Sequence, residues 1–324
     1  MPGEFEIITS YFAPSAKAAP TVALGVGDDC ALVMPPSGEQ LAISIDTLVE
    51  GVHFLPDISA EDLAWRLLGS SVSDLAAMGA EPLWLTLSVT LPRADESWLA
   101  AFRTGLDGAL ERYQITLVGG DTCSGPVRVL TAQVQGSVPA EKALRRSGAQ
   151  PGDIIFASGT LGDSRAGLEL IKRGAAQSEI HNYLLQRFLR PTPRTELGLA
   201  LRDIATAAID ISDGLLADLG HLLDRSSVGA EVELETLPLS QALSTFVDQT
   251  QARQWASTGG EDFELCFTVA EEHLAEVDKL SARLDLPLTP IGRIVSGSGV
   301  HVSFNGESWV PQIGAGFDHF GDPQ

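Results

Sequence analysis

Three short apolar runs in this sequence lead to an aspartate: Ile43-Ser44-Ile45-Asp46, Leu117-Val118-Gly119-Gly120-Asp121 and Ala208-Ile209-Asp210-Ile211-Ser212-Asp213. Two further stretches, Gly27-Asp28-Asp29 and Gly259-Gly260-Glu261-Asp262, set acids beside glycines. In α/β folds ligands bind at the ends of strands, and glycine lets a ligand approach the backbone closely. Aspartate and glycine also make turns, and aspartate caps helices, so any one stretch alone reads as a turn. Five in one chain point to function. Carboxylates gathered in one place repel one another unless cations neutralise them. Hard oxygen ligands select magnesium or manganese, and magnesium commonly serves a substrate phosphate.

Other residues are open to two readings. Asp74 falls near the apolar face of an amphipathic stretch, flanked by Val72 and Leu75. It is either an exposed helical acid or a carboxylate turned toward the site. Arg145-Arg146 is a solvated pair or a reach toward a nucleotide phosphate, and His53 in Gly51-Val52-His53-Phe54 is more often structural than catalytic when taken alone. The sequence has no GxxxxGK[ST] phosphate loop, no protein-kinase signature and no HExxH zinc motif. A phosphotransferase of this composition must neutralise phosphate charge with metal ions rather than with a loop lysine.

These residues need elements to hold them. Ser59-Ala60-Glu61-Asp62 resembles a capping box and opens a helix with Leu63, Leu67, Leu68, Val72, Leu75 and Met78 at helical spacing, closed by Gly79. Strands are expected at 41–45, 83–90, 115–118 and 127–138, with a long helix over 96–113. The turn formers Ser147 to Gly152 mark a linker. Beyond it, strands at 153–157 and 207–209 and near Val232, Leu265 and Val300 mix with helices at 164–173, 196–205, 215–223 and 271–284. Strands and helices alternate in both halves, which indicates an α/β class with α+β character and two domains, 1–146 and 147–324.

Composition narrows the class. The chain has 324 residues, 44% hydrophobic and 20% charged, and a formal net charge of −22. That balance is globular and disfavours nucleic acid and anionic membrane surfaces as partners. Three cysteines, none in a CxxC pair, and an opening Met1-Pro2-Gly3-Glu4-Phe5-Glu6 without a basic, then apolar leader suggest a reduced, cytoplasmic location.

Taken in order, the motifs resemble the thiamine-monophosphate kinase family, within the aminoimidazole-ribonucleotide-synthetase-like superfamily. The resemblance rests on Gly25-Val26-Gly27-Asp28-Asp29-Cys30-Ala31, the stretch Ser44 to Phe54, Ser73-Asp74-Leu75-Ala76-Ala77-Met78-Gly79-Ala80 and Gly119-Gly120-Asp121-Thr122. Ile209-Asp210-Ile211-Ser212-Asp213-Gly214-Leu215, Gly259-Gly260-Glu261-Asp262-Phe263-Glu264-Leu265 and Gly316-Phe317-Asp318-His319-Phe320 complete it. It implies transfer of the ATP γ-phosphate to thiamine monophosphate with several Mg2+ ions. It also implies a homodimer whose N-terminal domains share an intersubunit β-barrel, and a C-terminal domain closing over the nucleotide. By the same resemblance, Asp29, Ser44, Ile45 (through its carbonyl), Asp46, Asp74, Asp121, Asp210 and Asp213 are metal positions, with Asp46, Asp121 and Asp210 central to catalysis. Gly120, Asp121, Arg146 and Ser212 are nucleotide positions, and His53, Glu261 and Phe317 contact thiamine monophosphate. Other readings are a selenophosphate synthetase, disfavoured because the nearest cysteine, Cys30, follows Asp29 in the Gly-Asp-Asp motif, an aminoimidazole ribonucleotide synthetase, and a non-catalytic nucleotide-binding scaffold.

Overall fold

The structure, a computed structural model, describes residues 3–13, 19–174 and 178–310. The chain divides into two compact units, one of residues 1–75 and 80–141, the other of Ala76–Gly79 with residues 142–324.

The first unit is built on a four-stranded sheet. A short helix α1 (Glu4–Ile7) and a two-stranded ribbon, β1 (Val22–Leu24) with β2 (Leu32–Val33), precede it. The sheet strands are β3 (Glu39–Val49), β4 (Glu81–Leu91), β5 (Thr116–Ser124) and β6 (Val129–Pro139), in the order β3-β6-β4-β5. β6 runs antiparallel to β3 and β4, and β4 runs parallel to β5. Helices α2 (Ala60–Ala77) and α3 (Glu96–Tyr113) follow β3 and β4. The capping box forms as the spacing requires: the Asp62 amide donates to Ser59 Oγ at 3.0 Å and Ser59 Oγ donates back to Asp62 Oδ2 at 2.7 Å. Gly79 ends the helix with φ +61, a left-handed turn that disfavours a side chain.

Strand periodicity assigns the two faces. Ser44, Asp46 and Leu48 pair with Val134, Ala132 and Leu130, and these with Leu85, Leu87 and Val89; the apolar residues of these rows are buried. The opposite face carries Leu41, Ile43, Ile45, Thr47 and Gln133 and is open; Ile43 and Ile45 are 60% and 62% exposed. β3 and β5 are longer than the apolar runs suggest, because hydrogen-bonded pairing continues through their polar residues. Asp46 and Asp121 therefore lie inside strands, not past their ends. Gly119-Gly120 reads as a strand stop in the sequence, yet the strand runs through it past a bulge. A Cβ on Gly120 would lie 1.9 Å from the Leu87 carbonyl, so only glycine permits that approach.

The second unit holds β7 (Ile154–Ser158), α4 (Asp163–Arg173), α5 (Glu179–Leu189), α6 (Thr195–Leu201), β8 (Ala205–Asp210) and α7 (Leu215–Ser226). It continues with β9 (Gly229–Glu233), α8 (Gln241–Phe246), α9 (Gln249–Thr258), β10 (Leu265–Val269), α10 (Leu274–Leu284), β11 (Leu288–Val295), β12 (Gly299–Phe304) and β13 (Glu307–Ser308). Its sheet runs β13-β12-β9-β11-β7-β10-β8, antiparallel except for β12 with β9. Every residue of β10 is buried, as befits a central strand covered on both sides. Ile155, Ala157, Ile209 and Cys266 pack with α7 residues Leu219 and Leu222. Phe156, Ala208 and Phe267 pack with α6 and α10, the two phenyl rings stacked at 5.4 Å. The helix expected over 196–205 stops at Leu201, because Ala205 already pairs with Val269.

Candidate active site

In the first unit α2 crosses the buried face of the sheet and brings its carboxylate to β3. Asp74 Oδ2 accepts a hydrogen bond from Ser44 Oγ, which decides between its two readings: it turns toward β3. Asp46, two residues along the same strand face, feels the Asp74 charge, with the Ser71 hydroxyl close by; that hydroxyl donates to the Leu67 carbonyl at 2.9 Å. Burial first, then Asp74, pushes the Asp46 carboxyl up to about 6, with the hydroxyl opposing. Ser44, Asp46 and Asp74 thus form one group, and Ser71 belongs to it although no motif marks it. Ile45 lies on the other face with its side chain exposed.

Asp121 stands elsewhere in this unit. Its ladder row is Thr47–Thr131–Ser88–Asp121, on the open face; Thr47 Oγ1 and Thr131 Oγ1 lie 2.9 Å apart in it. Asp46 is in the adjacent row on the covered face. Three inter-strand steps, about 14 Å, separate β3 from β5. The two acids therefore do not share an ion within the unit. Gly120 is exposed beside Asp121. Asp29 is exposed in the ribbon loop, its amide donating to Asp28 Oδ1 at 2.9 Å. His53 follows β3 in a turn where Gly51 has φ +83. The Val49 amide donates to His53 Nδ1 at 3.0 Å, so the neutral ring carries its proton on Nε2.

In the second unit Asp210 is the last residue of β8, opposite Leu265 of β10, and is buried. Here the sequence reading of an acid at a strand end holds. Ser212 and Asp213 follow in a loop gripped by Asp218, whose Oδ2 accepts from the amides of Ser212, Asp213 and Gly214 at 3.0, 3.0 and 3.1 Å. Burial and the Asp213 charge push Asp218 up to about 7 against those three donors. Asp218 lies one helical turn into α7, where an acid suits the N-terminus; that is its only sequence signal. Glu261 is tied to the same loop, its amide donating to the Ser212 carbonyl at 2.7 Å. Arg146 is exposed, and its carbonyl accepts from Ser226 Oγ at 2.9 Å. Phe317 lies outside the described residues.

The donors gathered around Asp46 are all oxygens: two carboxylates and the Ser44 hydroxyl. This set fits a hard divalent cation, since magnesium is usually held by one or two carboxylates and completed by water and phosphate. Among the described residues of either unit, no three His, Cys, Asp or Glu side chains gather closely enough to hold an ion alone. No helix among the described residues is long and apolar enough to cross a membrane.

Comparison with known proteins places this geometry. Residues 27–138 match the N-terminal domain of AIR synthase related proteins and residues 150–305 match their C-terminal domain. The thiamine-monophosphate kinase of Salmonella typhimurium is 48% identical, over 99% of both chains. The crystal structure of thiamine-monophosphate kinase from Stenotrophomonas maltophilia is 47% identical with a TM-score of 0.85, covering 90% of this chain and 93% of that one. AaThiL, solved in complex with AMPPCP and TMP, is 35% identical with a TM-score of 0.80, covering 89% of each chain.

Proposed function

As a member of the AIR synthase related proteins and, among them, of the thiamine-monophosphate kinase family, this chain is a kinase, and we propose that it transfers the γ-phosphate of ATP to thiamine monophosphate, giving thiamine diphosphate and ADP. The observation that carries the site assignment is the Asp46–Asp74 pair. Two carboxylates meet there in a largely buried setting that holds Asp46 near 6, a costly arrangement unless a cation completes it.

The acceptor is a phosphate oxygen that is already anionic, so no strong general base is needed. The obstacle is the approach of two polyanions. We assign Ser44, Asp46 and Asp74, with Asp29, the Ile45 carbonyl and Asp121, as the first unit's metal positions, and Asp210 and Asp213 as the second unit's. Several Mg2+ ions, when bound, supply the positive charge that neutralises the phosphates during in-line transfer. Asp46, Asp121 and Asp210 are the acids on which turnover depends. Gly120, Asp121, Arg146 and Ser212 hold the nucleotide. His53 offers an Nε2–H donor to the acceptor substrate, Glu261 an anionic partner for its polar or cationic groups, and Phe317 an aromatic surface.

The reading extends to a cytoplasmic homodimer. The open face of the first unit's sheet, with Leu41, Ile43 and Ile45 exposed, supports closure by a second copy into an intersubunit barrel. The second unit would close over the nucleotide. Incubation of the purified protein with ATP, magnesium and thiamine monophosphate, followed by chromatography, tests the activity. Thiamine diphosphate formed in step with ADP is expected. ADP without thiamine diphosphate, or no ADP at all, contradicts the proposal.

A further inference from the structure

Segment 259–264 is held in an unusual backbone. Glu261 and Phe263 both have left-handed torsions, φ +71 and +50, on either side of Asp262. For non-glycine residues such a torsion is unfavourable and persists only where the surroundings force it. The two flanking glycines fit the same tight path: a Cβ on Gly260 would lie 2.7 Å from the Ser212 carbonyl, and one on Gly259 2.5 Å from that of Trp255.

A buried polar network surrounds the two torsions. The Asp262 side chain, 1% exposed, accepts from the amides of Gly162 and Ser164 at the start of α4, at 2.6 and 3.2 Å. Glu264 is fully buried and accepts from Arg194 Nε at 2.6 Å and its terminal nitrogen at 2.5 Å. Glu264 also accepts from Arg187 at 2.9 Å and from Ser158 Oγ at 2.6 Å. Arg187 reaches the carbonyls of Thr160 and Asp262 as well, at 3.2 and 3.4 Å. Between these anchors the backbone zips onto the neighbouring loop. Glu261 and Phe263 donate to the carbonyls of Ser212 and Ile211 at 2.7 and 2.9 Å, and Ile211 donates to that of Glu264 at 2.8 Å.

We infer that Arg187 and Arg194 are positioning residues: through Glu264 and the Asp262 turn they hold segment 259–264 in its strained form, so that Glu261 is presented beside Ser212 and Asp213. Neither arginine lies in a motif, and both come from the α5–α6 region, some seventy residues away in sequence from the acids they grip. Arg194 grips Glu264 with two parallel bonds, a geometry lysine cannot reproduce. The consequence for substrate rests on the assignment of Glu261 to thiamine monophosphate; the consequence for the loop does not.

The test uses the full chain with Arg194→Met, Arg194→Lys and Glu261→Gln, each checked for native circular dichroism. In Arg194→Met, hydrogen exchange at the Glu261 and Phe263 amides should accelerate about tenfold or more while the β10 amides keep their protection. The KM for thiamine monophosphate should rise about tenfold with a smaller change in that for ATP, and Arg194→Lys should recover part of both effects. Unchanged exchange at Glu261 and Phe263, or equal acceleration throughout β10, overturns the positioning role. Should Arg194→Met fail to fold, Arg194→Lys carries the same exchange test alone. If the exchange result appears but Glu261→Gln leaves the KM for thiamine monophosphate unchanged, the positioning role stands and the substrate assignment of Glu261 falls.

Discussion

Two buried acids, Asp46 of the first unit and Glu264 of the second, are handled in opposite ways. In the first, Asp46 is set near Asp74 with serine hydroxyls for company, and the Asp46 carboxyl is driven up to about 6. In the second, Glu264 is more deeply buried, yet two arginines and a serine satisfy it. A buried anion matched by cations and donors from its own chain holds a structure together. A pair of acids that raise each other's cost of ionisation is poised for a cation from outside. An acid that binds and an acid that builds therefore respond differently to substitution.

The largest effect is expected at Asp46. Asp46→Asn should lower turnover about a thousandfold or more, while thermal melting at neutral pH shows no loss of stability, because the variant removes an unfavourable charge. A variant that melts earlier in proportion to its lost activity would make Asp46 a building acid. Glu264→Ala should instead destabilise: it leaves two largely buried guanidinium groups without their shared partner and costs about 3–5 kcal/mol in denaturant unfolding. A loss below about 1 kcal/mol would break the contrast.

A pH series sharpens it. Asp46 titrates at about 6 in the folded chain against 3.8 for an ordinary aspartate. The folded state therefore holds an extra proton between those values, and this group's contribution to stability falls as pH rises through that window. Asp46→Asn lacks that fall. With chelator present, its stability relative to the parent should improve between pH 4 and 6 by up to about 3 kcal/mol. A flat difference would mean that Asp46 ionises normally. The smallest effect concerns strain. Glu261→Gly relieves one left-handed torsion and should raise stability by about 1 kcal/mol while raising the KM for thiamine monophosphate. Lower stability would show that the Glu261 side chain holds the loop.

Much of this was legible from the sequence where pattern is local. The capping box at Ser59, the stop at Gly79 and the helix over 96–113 follow from neighbouring residues, and the structure has them. The ordered acidic motifs led to the family. What escaped was set by partners distant along the chain. That Asp46 and Asp121 lie within strands on opposite faces depends on the registers of β3, β6, β4 and β5, which no single motif encodes. Arg187 and Arg194 carry no local mark, since their meaning comes from Glu264. Helices α5 and α9 were not anticipated, although serine and aspartate N-caps at Ser178 and Asp248 announce both.

The central claim is that the Asp46–Asp74 pair is a cation site. Manganese binding, followed by electron paramagnetic resonance in the parent and in Asp46→Asn at neutral pH, tests it most directly. The parent should bind Mn2+, Mg2+ should displace it, and Asp46→Asn should lose at least one tight site. Identical Mn2+ binding in the two proteins would contradict it.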